Sequence, residues 1–445
     1  MEKLKYEKPV ISKITAGVPS KFGLPAKTKI IEKIEGIPVS SLMEKYGSPL
    51  FVFSEKTLKN TYEEARTAFE TRYPKVQFAW SYKTNYLDAI CQIFHDEGAW
   101  AEVVSGFEFE KALALGVSGS QILFNGPEKS KEDLTLALNH NACIHIDHFD
   151  ELYLLIEVAR DLGKKARVAI RVNMDTGIYP MWDRFGLNFE NGEAWSAINR
   201  IMLAKDLDLI GLHTHIGTYI MAASAYGIAA TKLANLLMAT HRKFKHWIKY
   251  LDLGGGFASK NTLKGAYMPG SETCPSFDEY AEAISNALIS SEIPHENLPA
   301  LFLETGRALI DDAGYLLTTV LANKRSSTGR RNMVIDAGVN ILFTSFWYNL
   351  GVYPSKETSE VQEETTIYGP LCMNIDVIRE AVNFPHVKTG DQLVIERVGA
   401  YNVTQWMQFI TYRPNVVLID MEGKTHVIKQ KEELETLKKT ELKKQ

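Results

Sequence analysis

The chain has 445 residues, 45% of them apolar and 23% charged, with a formal net charge of −4. That composition is ordinary for a globular protein and offers no basic field for nucleic acid or an anionic membrane. No apolar run reaches the roughly 18 residues of a membrane helix, and the N-terminal MEKLKYEKPVISK has no signal-peptide core. The four cysteines, Cys91, Cys143, Cys274 and Cys372, lie too far apart in sequence for a zinc knuckle or redox pair. A long chain with few cysteines fits a reducing cytoplasm.

The first 50 residues carry two strand-like pieces, KIIEKIEG and SPLFVF. Then short apolar runs alternate with stretches of helical spacing. The runs are VQFAWSY (76–82), WAEVV (100–104), QILF (121–124), CIHID (143–147), RVAIRV (167–172), LIGLHTH (209–215), IKYLDL (248–253) and ALFLE (300–304). Several helical stretches between them end on glycine, as C-caps do. Eight strands at steady spacing predict an α/β fold with a (β/α)8 TIM-type barrel over 48–306, in preference to a doubly wound open sheet. Past residue 306 the texture turns to β-rich runs such as YLLTTVLANKR, NMVIDAGV, DQLVIERV and NVVLID. They predict a second, β-rich sandwich or barrel domain made from 307–430 and the N-terminal 1–47. Residues 431–445 read as a charged C-terminal tail.

A barrel enzyme collects its chemistry where its strands end. Lys83 follows the first strand, Asn125 and Gly126 the third, and Arg171 and Asn173 close the fifth. His213 and His215 come with the sixth strand, Gly254, Gly255 and Gly256 with the seventh, and Glu304, Gly306 and Arg307 with the eighth. A buried strand that delivers a lysine needs a reason, because burying an unpaired ammonium is costly. A triple glycine lets backbone amides approach an anion, and an arginine adds a charged donor beside it. Lysine, anion cradle and acid in one barrel mouth point to pyridoxal phosphate held on Lys83, with Glu304 at the ring nitrogen and His215 on the ring face. Each piece has a plainer reading: GGG alone is also a tight turn, and HTH invites zinc, for which no third ligand of suitable spacing is found.

The segments SYKTN, EVVSGFE, RVN, DRFG, GLHTHIGT, LDLGGGF, ETGR, DAGVN, YGPLCMNID and VGAY run in order through about residues 38–402. In that order the chain resembles the fold-type III pyridoxal-phosphate decarboxylases, the group of diaminopimelate, ornithine and arginine decarboxylases. The resemblance implies that Lys83 carries the cofactor as an aldimine. It implies that Glu102, Arg171, His215, Thr218, Gly254–Gly256, Glu304, Gly306, Arg307 and Tyr401 surround that cofactor. It further implies loss of the α-carboxylate through a quinonoid, and Cys372 as the acid that reprotonates Cα. In the family that cysteine comes from the neighbouring subunit, so a homodimer with shared sites is expected, and the substrate is a small amino acid. An amino-acid racemase on the same barrel is disfavoured by Glu304 and Cys372.

The departures from the family concern the substrate. Met373 follows the cysteine where amine-binding members carry an acid, and Thr344 stands near the place of the arginine that grips a distal carboxylate. VGAY is followed by NVTQWMQF, bulky and amide-bearing. Met373, Thr344, Tyr348, Gln405 and Trp406, with Gln408, are therefore the candidate substrate residues. They suggest a distal end that is neutral or part of a larger conjugate.

Overall fold

In the computed structural model, residues 29–358 and 361–442 are described. The sequence expectations for residues 1–28 and for the last three residues lie outside them. The chain divides into two compact units. One comprises 57–259 and 274–310, and the other 1–56, 260–273 and 311–445. The division therefore falls some residues later at each end than the predicted 48 and 306, and a stretch after the seventh strand, 260–273, belongs with the second unit.

The first unit is a closed barrel of eight parallel strands. They are β1 (Val76–Ser81), β2 (Trp100–Val103), β3 (Ile122–Phe124), β4 (Cys143–Ile146), β5 (Ala166–Asn173), β6 (Leu207–His213), β7 (Tyr250–Asp252) and β8 (Ala300–Leu303). Each pairs with the next, and Leu301 opposite Val76 returns β8 to β1. Being buried on both faces, the strands are nearly all apolar rather than alternating. The intervening helices announce their ends in sequence. Ser130 with Asp133 and Ser276 with Glu279 form capping boxes, and Gly163 closes Phe149–Leu162 in the left-handed conformation at φ 61°.

Ala79, Leu123, Cys143, Ala169, Ile210, Tyr250 and Phe302, from seven of the eight strands, form a buried cluster inside the barrel. Tyr250 is its largest member. Room for its ring comes from Gly211 on the neighbouring strand, where a Cβ would lie 2.2 Å from the ring. A buried lysine, Lys129, ties β3 to β4. Its ammonium donates to Gly126 O at 2.8 Å, His145 O at 3.0 Å and Glu151 Oε1 at 2.7 Å, so all three hydrogens are used.

The second unit is a β-sheet assembly. Leu50–Ser54 pairs antiparallel with Gly314–Arg325 and parallel with Asn415–Ile419, so both chain ends enter one sheet. Gly314–Arg325 also pairs with Gln392–Glu396 and Arg331–Ile335. SPLFVF thus forms the expected strand. KIIEKIEG contributes only the short hairpin Lys33–Ile34 with Ile37–Pro38. Among the described residues no helix is long and apolar enough to cross a membrane.

Gly211→Ala is expected to cost about 1–3 kcal/mol of stability by overpacking. The loss should be strongly non-additive with Tyr250→Ala in a denaturation cycle. Additive effects would contradict the packing account.

Candidate active site

Lys83 lies in the 3-10 turn Tyr82–Thr84 that ends β1. The turn is built rigidly. Trp80 stacks on Phe94 at 3.9 Å and donates its indole N–H to Asn85 O, while Asn85 Oδ1 accepts from the Leu87 amide. Lys83 Nζ stands 2.7 Å from both oxygens of Glu102, a carboxylate with no solvent exposure. Ion pair and hydrogen bonds together hold the ammonium, whose side chain is 36% exposed. Glu108 is the next acid in, accepting from the Val104 amide. Burial, with a smaller push from Glu102, drives its carboxyl up to about 7.

At the far side Glu304 ends β8, 4% exposed. Asn125 Nδ2 bridges the two acids, at 3.0 Å from Glu102 Oε1 and 2.7 Å from Glu304 Oε1. His213 Nε2 lies 3.3 Å from Glu304 Oε2 and His145 Nδ1 3.9 Å from Oε1. Burial holds both imidazoles well below their usual range, hence neutral. Asp252 is pushed the other way, by burial and by Glu304, and carries its proton. His215 is also held neutral by burial, its ring centroid 5.5 Å from that of Trp182 in an edge-on arrangement.

The glycine turn after β7 has a structural reason beyond anion approach. A Cβ on Gly254 would lie 2.6 Å from Thr214 O, one on Gly255 2.6 Å from Glu304 O, and one on Gly256 2.2 Å from Gly217 O. The turn is wedged between the loops after β6 and β8, and φ at Gly254 and Gly256 is 67° and 93°. Its carbonyls point away from the site: Gly254 O accepts from the Glu304 amide, Gly255 O from Tyr226 Oη and Gly256 O from the Ile220 amide. Arg307 is 8% exposed, lies over the Tyr219 ring and reaches Thr218 Oγ1 at 3.5 Å. Gly306 packs on Thr84, whose Oγ1 would lie 2.0 Å from an added Cβ. Arg171 pairs with Asp147 at 3.6 Å, over Phe185.

These groups fit pyridoxal phosphate. There is an amine for its carbonyl carbon, an arginine and hydroxyl beside a glycine turn for its phosphate, and a buried acid for its ring nitrogen. His215, whose Nδ1 has no hydrogen-bond partner, supplies a flat neutral face. The metal reading of HTH changes as well. His213 does find further ligand-type neighbours, His145, Asp252 and Glu304, all within 4.8 Å of one another, brought from strands the sequence does not link. His215 is not among them. Glu304 Oε1 already accepts from Asn125 and Asp252 holds its proton, so the cluster is the floor of the barrel site.

The remaining predicted residues belong to the second unit. Cys372 is an exposed free thiol on the loop after Gln362–Tyr368. Asp376 pins that loop, accepting from the Val339 and Leu371 amides at 2.8 and 2.7 Å. Met373 is half-buried. Thr344 is buried, and its amide and hydroxyl both donate to Asn402 Oδ1, at 3.1 and 3.0 Å. Tyr348 is 1% exposed, while Gln405 is exposed and Gln408 donates to Thr411 O. Trp406 spends its indole N–H on Ile341 O and packs on Phe51. Tyr401 sits in the left-handed region at φ 59°. Asn125, Asp252, His145 and Glu108 were not assigned roles from sequence. Asn125 alone had a signal, its place just past a strand end.

A protonated Glu108 in the folded state, against an ordinary value of about 4.3 in the unfolded chain, makes folding take up a proton as pH rises through this window. Stability of the cofactor-free protein should therefore fall from about pH 4 to 7 through this group. Glu108→Gln should remove roughly 2 kcal/mol of that loss between pH 5 and 8 in denaturant titrations. An unchanged pH profile would contradict the assignment.

Residues 58–311 match the family model for the pyridoxal-binding domain of pyridoxal-dependent decarboxylases. The chain is 31% identical over 408 residues to a diaminopimelate decarboxylase of Methanocaldococcus jannaschii, covering 88% of this chain and 90% of that one. It is 29% identical over 426 residues to the diaminopimelate decarboxylase of Bacillus subtilis, covering 92% and 95%. A crystal structure of the M. jannaschii enzyme superposes with a TM-score of 0.85 at 28% identity, over 94% of this chain and 98% of that one. The family match over more than half of the chain and the 31% identical relative show that this chain belongs to the pyridoxal-dependent decarboxylases.

Proposed function

We propose that the chain decarboxylates an amino acid at Cα, in the manner of the diaminopimelate decarboxylases it resembles, through a distal pocket of altered chemistry. The observation that carries this reading is the Lys83 ammonium held by both oxygens of a fully buried carboxylate at the end of a barrel strand. Bound pyridoxal phosphate supplies the electron sink that lets the bond to the α-carboxylate break. Lys83 provides the amine, and Glu102 holds it in place. Glu304 keeps a proton at the ring nitrogen, and His215 covers one face of the ring as a neutral imidazole. Arg307, Thr218 and the glycine turn hold the phosphate, with Tyr401 as a further donor and Arg171 nearby. Carbon dioxide departs and a proton takes its place on Cα, delivered by Cys372.

In this reading Cys372 serves the site of a second copy, and the working unit is a homodimer. Four cysteines, none of them in a disulfide, support a reducing, cytoplasmic setting.

The relatives' activity makes meso-diaminopimelate the first substrate to consider. A specific observation favours a second reading. The Thr344 donors are both spent on Asn402, and Met373 carries no charge, so neither residue grips a distal carboxylate or ammonium. An unpaired charge buried there costs several kcal/mol. A conjugated diamino acid, or a carboxylated polyamine precursor, fits that chemistry.

Carbon dioxide release should be measured with meso-diaminopimelate, lysine, ornithine, arginine, carboxynorspermidine and acyl- or citryl-linked diamino acids. Turnover of meso-diaminopimelate well above lysine and ornithine supports the first reading. Turnover of only a conjugate or polyamine precursor supports the second, and no release from any compound contradicts both. Mixing Lys83→Ala with Cys372→Ala protein should restore up to about a quarter of wild-type activity, the statistical yield of one intact site in hybrid dimers. No restoration, with subunit exchange verified, would contradict the shared site.

A further inference from the structure

The barrel floor poses an electrostatic problem. Glu102 and Glu304 are both buried, and the Lys83 ammonium is bonded to Glu102. The imidazoles beside Glu304 are neutral. Buried carboxyl oxygens are costly to leave without hydrogen-bond donors.

Asn125 meets that need. It is 4% exposed, and its backbone is fixed by a 2.8 Å hydrogen bond from its amide to Val103 O. Its Nδ2 carries two hydrogens, and one carboxylate oxygen lies along each, Glu102 Oε1 and Glu304 Oε1. The orientation follows from chemistry: with the amide flipped, its oxygen would face two acceptors. Its Oδ1 has no hydrogen-bond partner. The side chain is thus held by its donors, at the expense of its own acceptor.

We propose that Asn125 is a positioning residue that ties the carboxylate partner of Lys83 to Glu304. It sets the distance between the two ends of the cofactor site and holds the Glu304 carboxyl in place toward the ring nitrogen. The inference rests on the functional reading above, since it assigns Asn125 a task only if pyridoxal phosphate lies between those ends.

The test uses purified full-length protein and three variants, Asn125→Asp, Asn125→Ser and Asn125→Ala. Asp is isosteric but brings a third carboxylate and no N–H; Ser keeps one donor; Ala keeps none. Pyridoxal phosphate affinity is measured by equilibrium dialysis, and the pH dependence of the bound cofactor's visible bands by absorbance. Affinity should fall roughly 10- to 100-fold in Asp and Ala, with Ser between wild type and Ala, as expected for lost hydrogen bonds to charged groups. The midpoint of the band ratio should shift in the same order. In steady state kcat should fall with KM little changed. A purely structural Asn125 would lower the melting temperature while affinity and band midpoint stay at wild-type values, and that result overturns the inference. Wild-type protein that binds no pyridoxal phosphate would overturn the functional reading itself, and is distinguishable because it needs no variant.

Discussion

The pairing of Lys83 with Glu102 is the constraint on which the barrel site depends. The apolar strand β1 delivers a partly exposed ammonium, and β2 supplies the fully buried acid that receives it directly across the sheet, Ser81 opposite Glu102. The acid in turn needs donors of its own, which brings in Asn125, and Asn125 reaches on to Glu304. One ion pair thus fixes a chain of polar groups across the ends of four strands. Lys129 shows the contrasting solution. Its three hydrogens all have fixed acceptors within the barrel wall, and nothing is left for chemistry.

The floor beneath this chain keeps its charge low. Burial makes His145, His213 and His215 neutral and leaves Asp252 protonated, so four titratable groups contribute geometry without net charge. Asp252 also braces the glycine turn, its Oδ1 accepting from the Gly254 amide at 2.8 Å. The surroundings of Glu304 and the glycine turn are therefore joined through one side chain. Tyr250 extends the floor sideways, 2.7 Å from His145 Nε2 and 2.8 Å from Cys143 Sγ.

Much of this was legible in the sequence, for identifiable reasons. Barrel strands are near-continuous apolar runs, so all eight stood out, and serine caps with an acid three residues on marked helix starts. Lys83, Glu304 and the glycine triplet were conspicuous because charge and glycine sit oddly at the ends of apolar strands. What stayed hidden depends on closure. His145 looks like a strand residue among others until the barrel brings it to His213 and Glu304, from strands far apart in sequence. The glycines read as an anion loop, whereas their tightest contacts are carbonyls of neighbouring loops. Trp406 looked like a substrate-facing aromatic, but its indole N–H and ring are committed to Ile341 and Phe51. Pairwise spacing carries no information on such long-range neighbours.

The account stands on Lys83 as the residue that bonds the cofactor. Hydride reduction of the pyridoxal-phosphate-loaded protein, followed by peptide mass mapping, tests this directly. A pyridoxyl group fixed on Lys83, and absent after Lys83→Ala, is the predicted result. The group on Lys129 or any other lysine, with Lys83 unlabelled, would contradict it.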